Sequence, residues 1–130
     1  MNSDILSEFA DMIALAGFGI VGTDIFIGQL PAETNGIYLS RLAGSLSNYL
    51  PMEETIVDAY VQNISSQTAI QTMESIKRTF HRHLETQRGN HVIYSILALS
   101  DIEDLGRDRD YGKMYKVTFQ ILHRSTALIS

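Results

Sequence analysis

The sequence predicts an α+β fold, a mainly antiparallel sheet of four to five strands with two packed helices, in the order α-β-β-β-α-β-β. Two observations carry this prediction. Two long segments place apolar residues at helical spacing, and the shorter apolar segments between and after them are joined by turns rather than by helices. The 130 residues fit a single α+β domain, 1-130, with a flexible tail expected at about 125-130.

The first helix is predicted to begin at Ser3 or Asp4 and to end at Gly17, because such residues cap helix starts and ends. Its apolar residues recur every three or four positions and form one stripe, which consists of Ile5, Leu6, Phe9, Met12, Ile13 and Ala16.

Two strands are predicted next, Asp24–Leu30 and Ile37–Leu42. The turn Ala32–Gly36 between them contains the tight-turn pair Asn35-Gly36, so we expect a hairpin. The segment Gly44–Glu54 follows as a long loop with several apolar side chains, which either tuck against their own domain or contact a partner.

A third strand is predicted over Thr55–Gln62, followed by a helix that begins at Ser65 or Ser66 and extends to about Gln87. Gly89-Asn90 is expected to end the helical stretch. The stripe of this second helix consists of Ala69, Ile70, Met73, Ile76, Phe80 and Leu84.

The last two predicted strands are Val92–Leu99 and Lys113–His123. The first is apolar on both faces, which is typical of a central strand, whereas the second alternates and points Tyr115, Val117, Phe119 and Ile121 inward. The sheet face turned away from the second helix stays partly apolar, and either the first helix or a neighbouring subunit is expected to cover it. The residues that share this face are Tyr38, Leu42, Ile56 and Tyr60.

Composition narrows the function. The absence of cysteine excludes disulfides and thiolate metal sites. The net charge is −5, divided into −8 up to Ile76 and +3 from Lys77 onward. An acidic chain without a dense basic cluster argues against general nucleic-acid binding. If the two halves also separate in space, the molecule is suited to head-to-tail stacking.

No motif indicates an enzyme or a cofactor. His81 and His83 are two apart on a helix and therefore cannot ligate one metal together, and His91 and His123 are expected at the surface. The carboxylate-rich segment Asp101–Asp110 fails the calcium-loop pattern and is either a solvated, self-paired loop or a weak cation site between subunits. The Gly17–Gly22 segment has G-x-G-x-x-G spacing, but it follows a helix and precedes a strand, the reverse of a dinucleotide site.

Three segments together resemble a known family. They are the Leu-Pro and Asn turn within Phe26–Leu39, the strand from Val57 followed by Ser65-x-x-x-Ala69, and the Gly-Arg-Asp turn within Leu105–Lys113. This set is similar to the tail terminator (tail completion, minor capsid-like) proteins of long-tailed bacteriophages.

The resemblance implies a virion structural protein without catalytic activity, cofactor or metal, assembled in the host cytoplasm. It implies a homo-hexameric ring on the head-proximal end of the tail tube, which stops tube polymerisation and receives the head's neck or connector protein. DNA would pass through the lumen without specific binding, and no membrane is involved. A ring needs heterologous interfaces.

We expect such interfaces in two loops. Tyr49, Leu50 and Met52 lead the first, and the second carries Arg107, Asp108, Arg109 and Asp110. Two other functions stay open, a head-side neck protein (a stopper or head–tail joining protein) and a small-ligand-binding domain.

Overall fold

A computed structural model describes residues 5–28, 35–46, 53–82, 86–88, 91–108 and 112–125. It contains two α-helices and seven β-strands, which confirms the predicted α+β class. In chain order the elements are α1 (Ile5–Leu15), β1 (Ile25–Ile27), β2 (Gly36–Leu46), β3 (Glu53–Asn63), α2 (Ser66–Phe80), β4 (Thr86–Arg88), β5 (His91–Ala98), β6 (Glu103–Asp108) and β7 (Gly112–Ser125).

The strands form one mixed sheet in the order β1-β2-β3-β7-β5-β4, and β6 pairs with β7 on the same side as β5. Only β1 and β2 run parallel among these pairs. The predicted count of four to five strands was wrong because β4 and β6 are short segments inside regions that the sequence assigned to a helix and to a charged loop.

The predicted hairpin between Asp24–Leu30 and Ile37–Leu42 was also wrong. Ile25 lies beside Ile37 in a parallel pair, and the Ile37 amide donates to the Asp24 carbonyl at 2.8 Å. Most of the predicted turn, residues 32–34, lies outside the described residues, and Gly36 already belongs to β2. The hairpin is instead formed by β2 and β3, whose ends meet at Leu46 and Glu53.

The predicted loop Gly44–Glu54 is therefore shorter than expected. Both strands continue into it, because Glu53 and Glu54 also pair with β7 on their other side. Only residues 47–52 connect the strands, and they lie outside the described part of the chain.

Helix α2 begins where the sequence predicts and ends earlier. The Ser65 side chain caps the start by accepting from the Thr68 amide at 3.2 Å. The helix ends at Phe80 rather than near Gln87, because His81 adopts an extended backbone and its ring Nδ1 accepts from the Ala98 amide at 2.9 Å. Leu84 lies outside the described residues.

The central strands are β3 and β7, not β5 as the sequence predicted. Strand β5 is apolar on both faces because a register shift between Ile93 and Ser95 moves the buried set from odd to even positions. In β7 the predicted inward row is confirmed, since Val117, Phe119 and Ile121 are fully buried and Tyr115 packs against the core.

Both helices pack on one face of the sheet. Helix α1 lies over β1 and β2, whereas α2 lies over β3, β7 and β5. Phe9 joins these elements through edge-to-face contacts with Phe80 at 5.3 Å and with Phe119 at 5.5 Å between ring centroids. We expected either α1 or a neighbouring subunit to cover the opposite face. The expectation for α1 was wrong, because α1 packs on the same face as α2.

Candidate functional site

The predicted interface residues fall at two connections of the sheet. Tyr49, Leu50 and Met52 lie in the β2–β3 connection, outside the described residues. Arg107 and Asp108 lie in β6, where their backbones pair with Lys113 and Gly112 of β7. Arg109 and Asp110 follow in the β6–β7 connection, again outside the described residues. The two predicted groups therefore belong to two different hairpins.

The β6–β7 hairpin is fixed against the start of α2 by a close approach of backbones. Gly112 has a φ of 95°, and a Cβ at this position would collide with the Asn63 carbonyl and the Ile64 Cα. Only glycine fits both demands without displacement. The first residue of β7 is thus held closely against the β3–α2 turn.

Three acidic residues before and in β6, Asp101, Glu103 and Asp104, each form an ion pair with a lysine. Lys113 Nζ lies 2.7 Å from Asp104, Lys116 lies 3.4 Å from Glu103, and Lys77 lies 3.4 Å from Asp101. The hydrogen bond from Lys113, together with one from the Gly106 amide, lowers the pKa of Asp104. These lysines belong to α2 and β7, so the described carboxylates pair with neighbouring elements rather than within their own segment as expected. Within the described residues no cluster of three or more metal-ligating side chains occurs.

The G-x-G-x-x-G segment forms the turn from α1 into β1. Asp24 closes this turn by accepting from the Ile20 amide at 3.0 Å. Gly19 has a φ of 153°, and a Cβ there would lie 2.6 Å from the Asp24 Cβ. These glycines therefore serve a tight turn between helix and strand, in agreement with the argument against a dinucleotide site.

The sheet face opposite the helices carries a polar and aromatic row. Tyr38 and Tyr60 stack with ring centroids 4.3 Å apart. Next to them, the buried Asp58 accepts a 2.6 Å hydrogen bond from Thr118 and lies 3.5 Å from the Tyr60 hydroxyl. These side chains stack on and hydrogen-bond to one another. This part of the sheet face is therefore ordered before any partner binds.

His123 is buried, so the prediction that it lies at the surface was wrong. Its ring Nε2 lies 2.8 Å from the Thr55 hydroxyl and 3.9 Å from a Glu53 carboxylate oxygen, and Arg41 also reaches Thr55 at 3.4 Å. The signal was present in the sequence, because His123 continues the inward-facing alternation of Phe119 and Ile121.

One cleft among the described residues tests the ligand-binding alternative. It lies between the α1–β1 turn and the β3–α2 turn, is open to solvent, and has a volume of about 160 Å³. Pockets for small organic ligands usually enclose roughly 300–1,000 Å³. This cleft does not support that alternative. Its lining includes Phe18, Asp24, Asn35, Gln62, Asn63 and Thr72.

Exposed apolar residues mark a feature that the sequence reasoning missed. Seven large apolar side chains of the described chain are at least 40% exposed, and six lie at opposite edges of the sheet, where a partner would cover them. The signal was available for Leu15, which lies off the apolar stripe of α1. The β1 flank comprises the exposed residues Asp11, Leu15, Ile20, Val21 and Ile27, and the β6 flank comprises Arg78, Arg82, Leu99 and Leu105.

Comparison with known proteins agrees with these observations. The family model described as "Bacteriophage tail terminator protein" matches residues 12–123. Comparison with curated proteins found no significant match. Within the described residues, neither helix is long and apolar enough to cross a membrane. The family match covers most of the chain and at least part of each of the seven described strands, and the chain belongs to the bacteriophage tail terminator family.

Proposed function

We propose that six copies of the chain form a ring that caps the head-proximal end of the tail tube, stops its polymerisation and receives the neck or connector protein of the head. The observation that carries the proposal is the family match over residues 12–123. The exposed apolar side chains at both edges of the sheet support an assembly role, since monomeric proteins rarely leave such groups clustered without a partner.

The mechanism is steric and makes or breaks no covalent bond. A ring on the last layer of the tube occupies the surface on which the next tube subunit would add. The same ring offers its other side to the head. In this proposal the protein is a component of the virion that is assembled in the host cytoplasm, and it needs neither cofactor nor metal.

In this proposal, each of the two groups of interface residues predicted from the sequence contacts a different partner surface. The β2–β3 connection, with Tyr49, Leu50 and Met52, contacts the tail tube or an adjacent subunit. The end of the β6–β7 hairpin, with Arg107 to Asp110, contacts another subunit. Each connection joins the ends of two antiparallel strands, and connections of this kind run over the protein surface as a rule.

An acidic subunit suits a ring through which DNA passes. The net charge of −5 disfavours phosphate binding, so the lumen would release DNA rather than hold it. Three lysines near β6, Lys77, Lys113 and Lys116, are paired with Asp101, Asp104 and Glu103.

Addition of the purified protein to polymerising tail-tube protein tests the proposal. Tubes should stop growing, and electron microscopy should find the protein at one end only. Binding along the tube walls, or growth at the unaltered rate, would contradict it. Adding the protein to head connectors without tubes separates a terminator from a head-side neck protein, because the latter would bind the connector and leave tube growth unchanged.

A further inference from the structure

The two flanks differ in charge, since the carboxylates beside the β6 flank, Asp101, Glu103 and Asp104, are each paired with a lysine. Asp11 and the half-buried Asp24 are at the β1 side, and the described residues before Arg41 contain no lysine or arginine. On the other side Arg78 and Arg82 are exposed, and neither lies within 4.0 Å of a carboxylate oxygen of the described residues. The aspartates Asp11 and Asp24 and the arginines Arg78 and Arg82 therefore lie on different flanks of the molecule.

The helix geometry directs the two charges away from each other. Phe9 of α1 contacts Phe80 of α2, so these rings mark the sides on which the helices meet. Asp11 and Arg78 each lie two residues from the ring of their own helix, which is a rotation of about 200°. Asp11 thus lies on the side of α1 away from α2, and Arg78 lies on the side of α2 away from α1.

The sheet gives the same separation. Helix α1 lies over β1 and β2, and Lys77 next to Arg78 pairs with Asp101 just after β5. Four strand spacings separate β1 from β5, or about 19 Å. One molecule therefore presents the two charges on opposite edges and cannot pair them within itself.

We infer that the β1 flank of one copy packs against the β6 flank of the next copy, with Asp11 facing Arg78 across the contact. The apolar residues match as well, since Leu15 and Ile20 are 72% and 65% exposed on one flank and Leu99 and Leu105 are 52% and 44% exposed on the other. This contact rests on the proposed ring and specifies which surfaces close it.

The charges also select the head-to-tail arrangement over a two-fold dimer. Two β1 flanks would bring carboxylates together, and two β6 flanks would bring arginines together, so like charges disfavour both isologous pairings. When unlike flanks join, every open assembly still has one free β1 flank and one free β6 flank. Only closure into a ring buries both of them.

Charge exchange tests the contact. The variants are Asp11→Lys, Arg78→Glu, the double variant that carries both, and Gln71→Lys, which adds a charge at an exposed position of α2 outside both flanks, about 10 Å along the helix from Arg78. Assembly is followed by light scattering of the free protein and of the protein with tail tubes, at low and high salt. Circular dichroism melting checks that each variant is folded.

Each single variant should raise the concentration needed for assembly by about fivefold or more, because an attraction becomes a repulsion at every contact. Gln71→Lys should behave as the unaltered protein does. The double variant should assemble again, and an equimolar mixture of the two single variants should also assemble, since alternating copies place opposite charges at every contact. The defects should shrink at high salt.

The outcomes separate this contact from the ring itself. An unaltered protein that never assembles, with or without tubes, would overturn the proposed ring and the contact together. An unaltered protein that assembles while the single variants match it would overturn only the contact. Single variants that fail to assemble and are not rescued by the double variant or by mixing would overturn the pairing of Asp11 with Arg78.

Discussion

Tyr38 and Tyr60 stack face to face on the sheet face opposite the helices, with ring centroids 4.3 Å apart and planes 5° from parallel. Their positions are directly opposite each other on β2 and β3. The two rings shield one another from water, and the Asp58 carboxylate lies beside them. The pair therefore has consequences for both stability and ionisation.

The two tyrosines should make stability fall at alkaline pH. Burial raises the pKa of Tyr38 and that of Tyr60 above the usual 10.0, and the Asp58 charge raises both further. As the pH rises, the tyrosines of the unfolded chain therefore lose their protons before those of the folded chain. The contribution of the two tyrosines to the free energy of unfolding is fully present below pH 10.0 and is lost as the pH rises through the folded-state pKa values. The double variant Tyr38→Phe, Tyr60→Phe should lose less stability between roughly pH 9 and 11 in urea unfolding. An unchanged pH dependence would contradict this.

Phe9→Ala should lower the free energy of unfolding more than Phe26→Ala does. Phe9→Ala removes the ring that joins both helices to the sheet, and the expected loss is about 3–5 kcal/mol in the free energy of unfolding. Phe26→Ala removes the same ring at a half-buried position in β1 and should cost clearly less. Urea unfolding of both variants measures the difference. Equal losses would mean that Phe9 has no special place in the packing.

Replacing each of two glycines by alanine distinguishes the cost of a left-handed backbone from the cost of a steric collision. Gly106 and Gly112 have φ values of 94° and 95°, but a Cβ at Gly106 meets open space, whereas one at Gly112 collides with the Asn63 carbonyl. Gly106→Ala should cost about 1–2 kcal/mol, from the left-handed backbone alone. Gly112→Ala should cost more, and its hydrogen exchange should rise at the β3–α2 turn. Indistinguishable melting curves for the two variants would refute the close approach.

Charge reversal at the β6–β7 connection should weaken assembly. Arg107 lies in β6, and Arg109 follows in the connection to β7. The double variant Arg107→Glu, Arg109→Glu should lower the fraction of assembled protein, because an interfacial cation becomes an anion. Lys116→Met is the matched control, since this lysine is already paired with Glu103. An unchanged assembled mass in the double variant would remove this hairpin from the interface.

Local signals predicted the helices and most strand positions. The stripe of α1 and the Ser65 cap depend on neighbours within one or two turns, and both agree with the structure, with Ala16 alone exposed at the end of the stripe. The end of α2 did not follow from the pattern, since Leu84 continues the periodicity. What ends the helix is a long-range bond between His81 and the Ala98 amide.

Pairing between distant strands was harder to predict. The Asn35-Gly36 pair indicates a hairpin, but β1 is only three residues long and joins β2 in parallel. The register shift at Ile93 made β5 read as a central strand. Among the expected interface residues, Arg107 and Asp108 lie in paired strand rather than loop, whereas the exposed β1 flank was not among the expected interfaces and emerged only from the fold.

The mass of the assembled protein, measured by light scattering with and without polymerised tail tubes and across salt, tests the central claim most directly. The account predicts a hexamer, or a monomer that is recruited only to tube ends. A stable monomer or dimer that ignores tubes would contradict it.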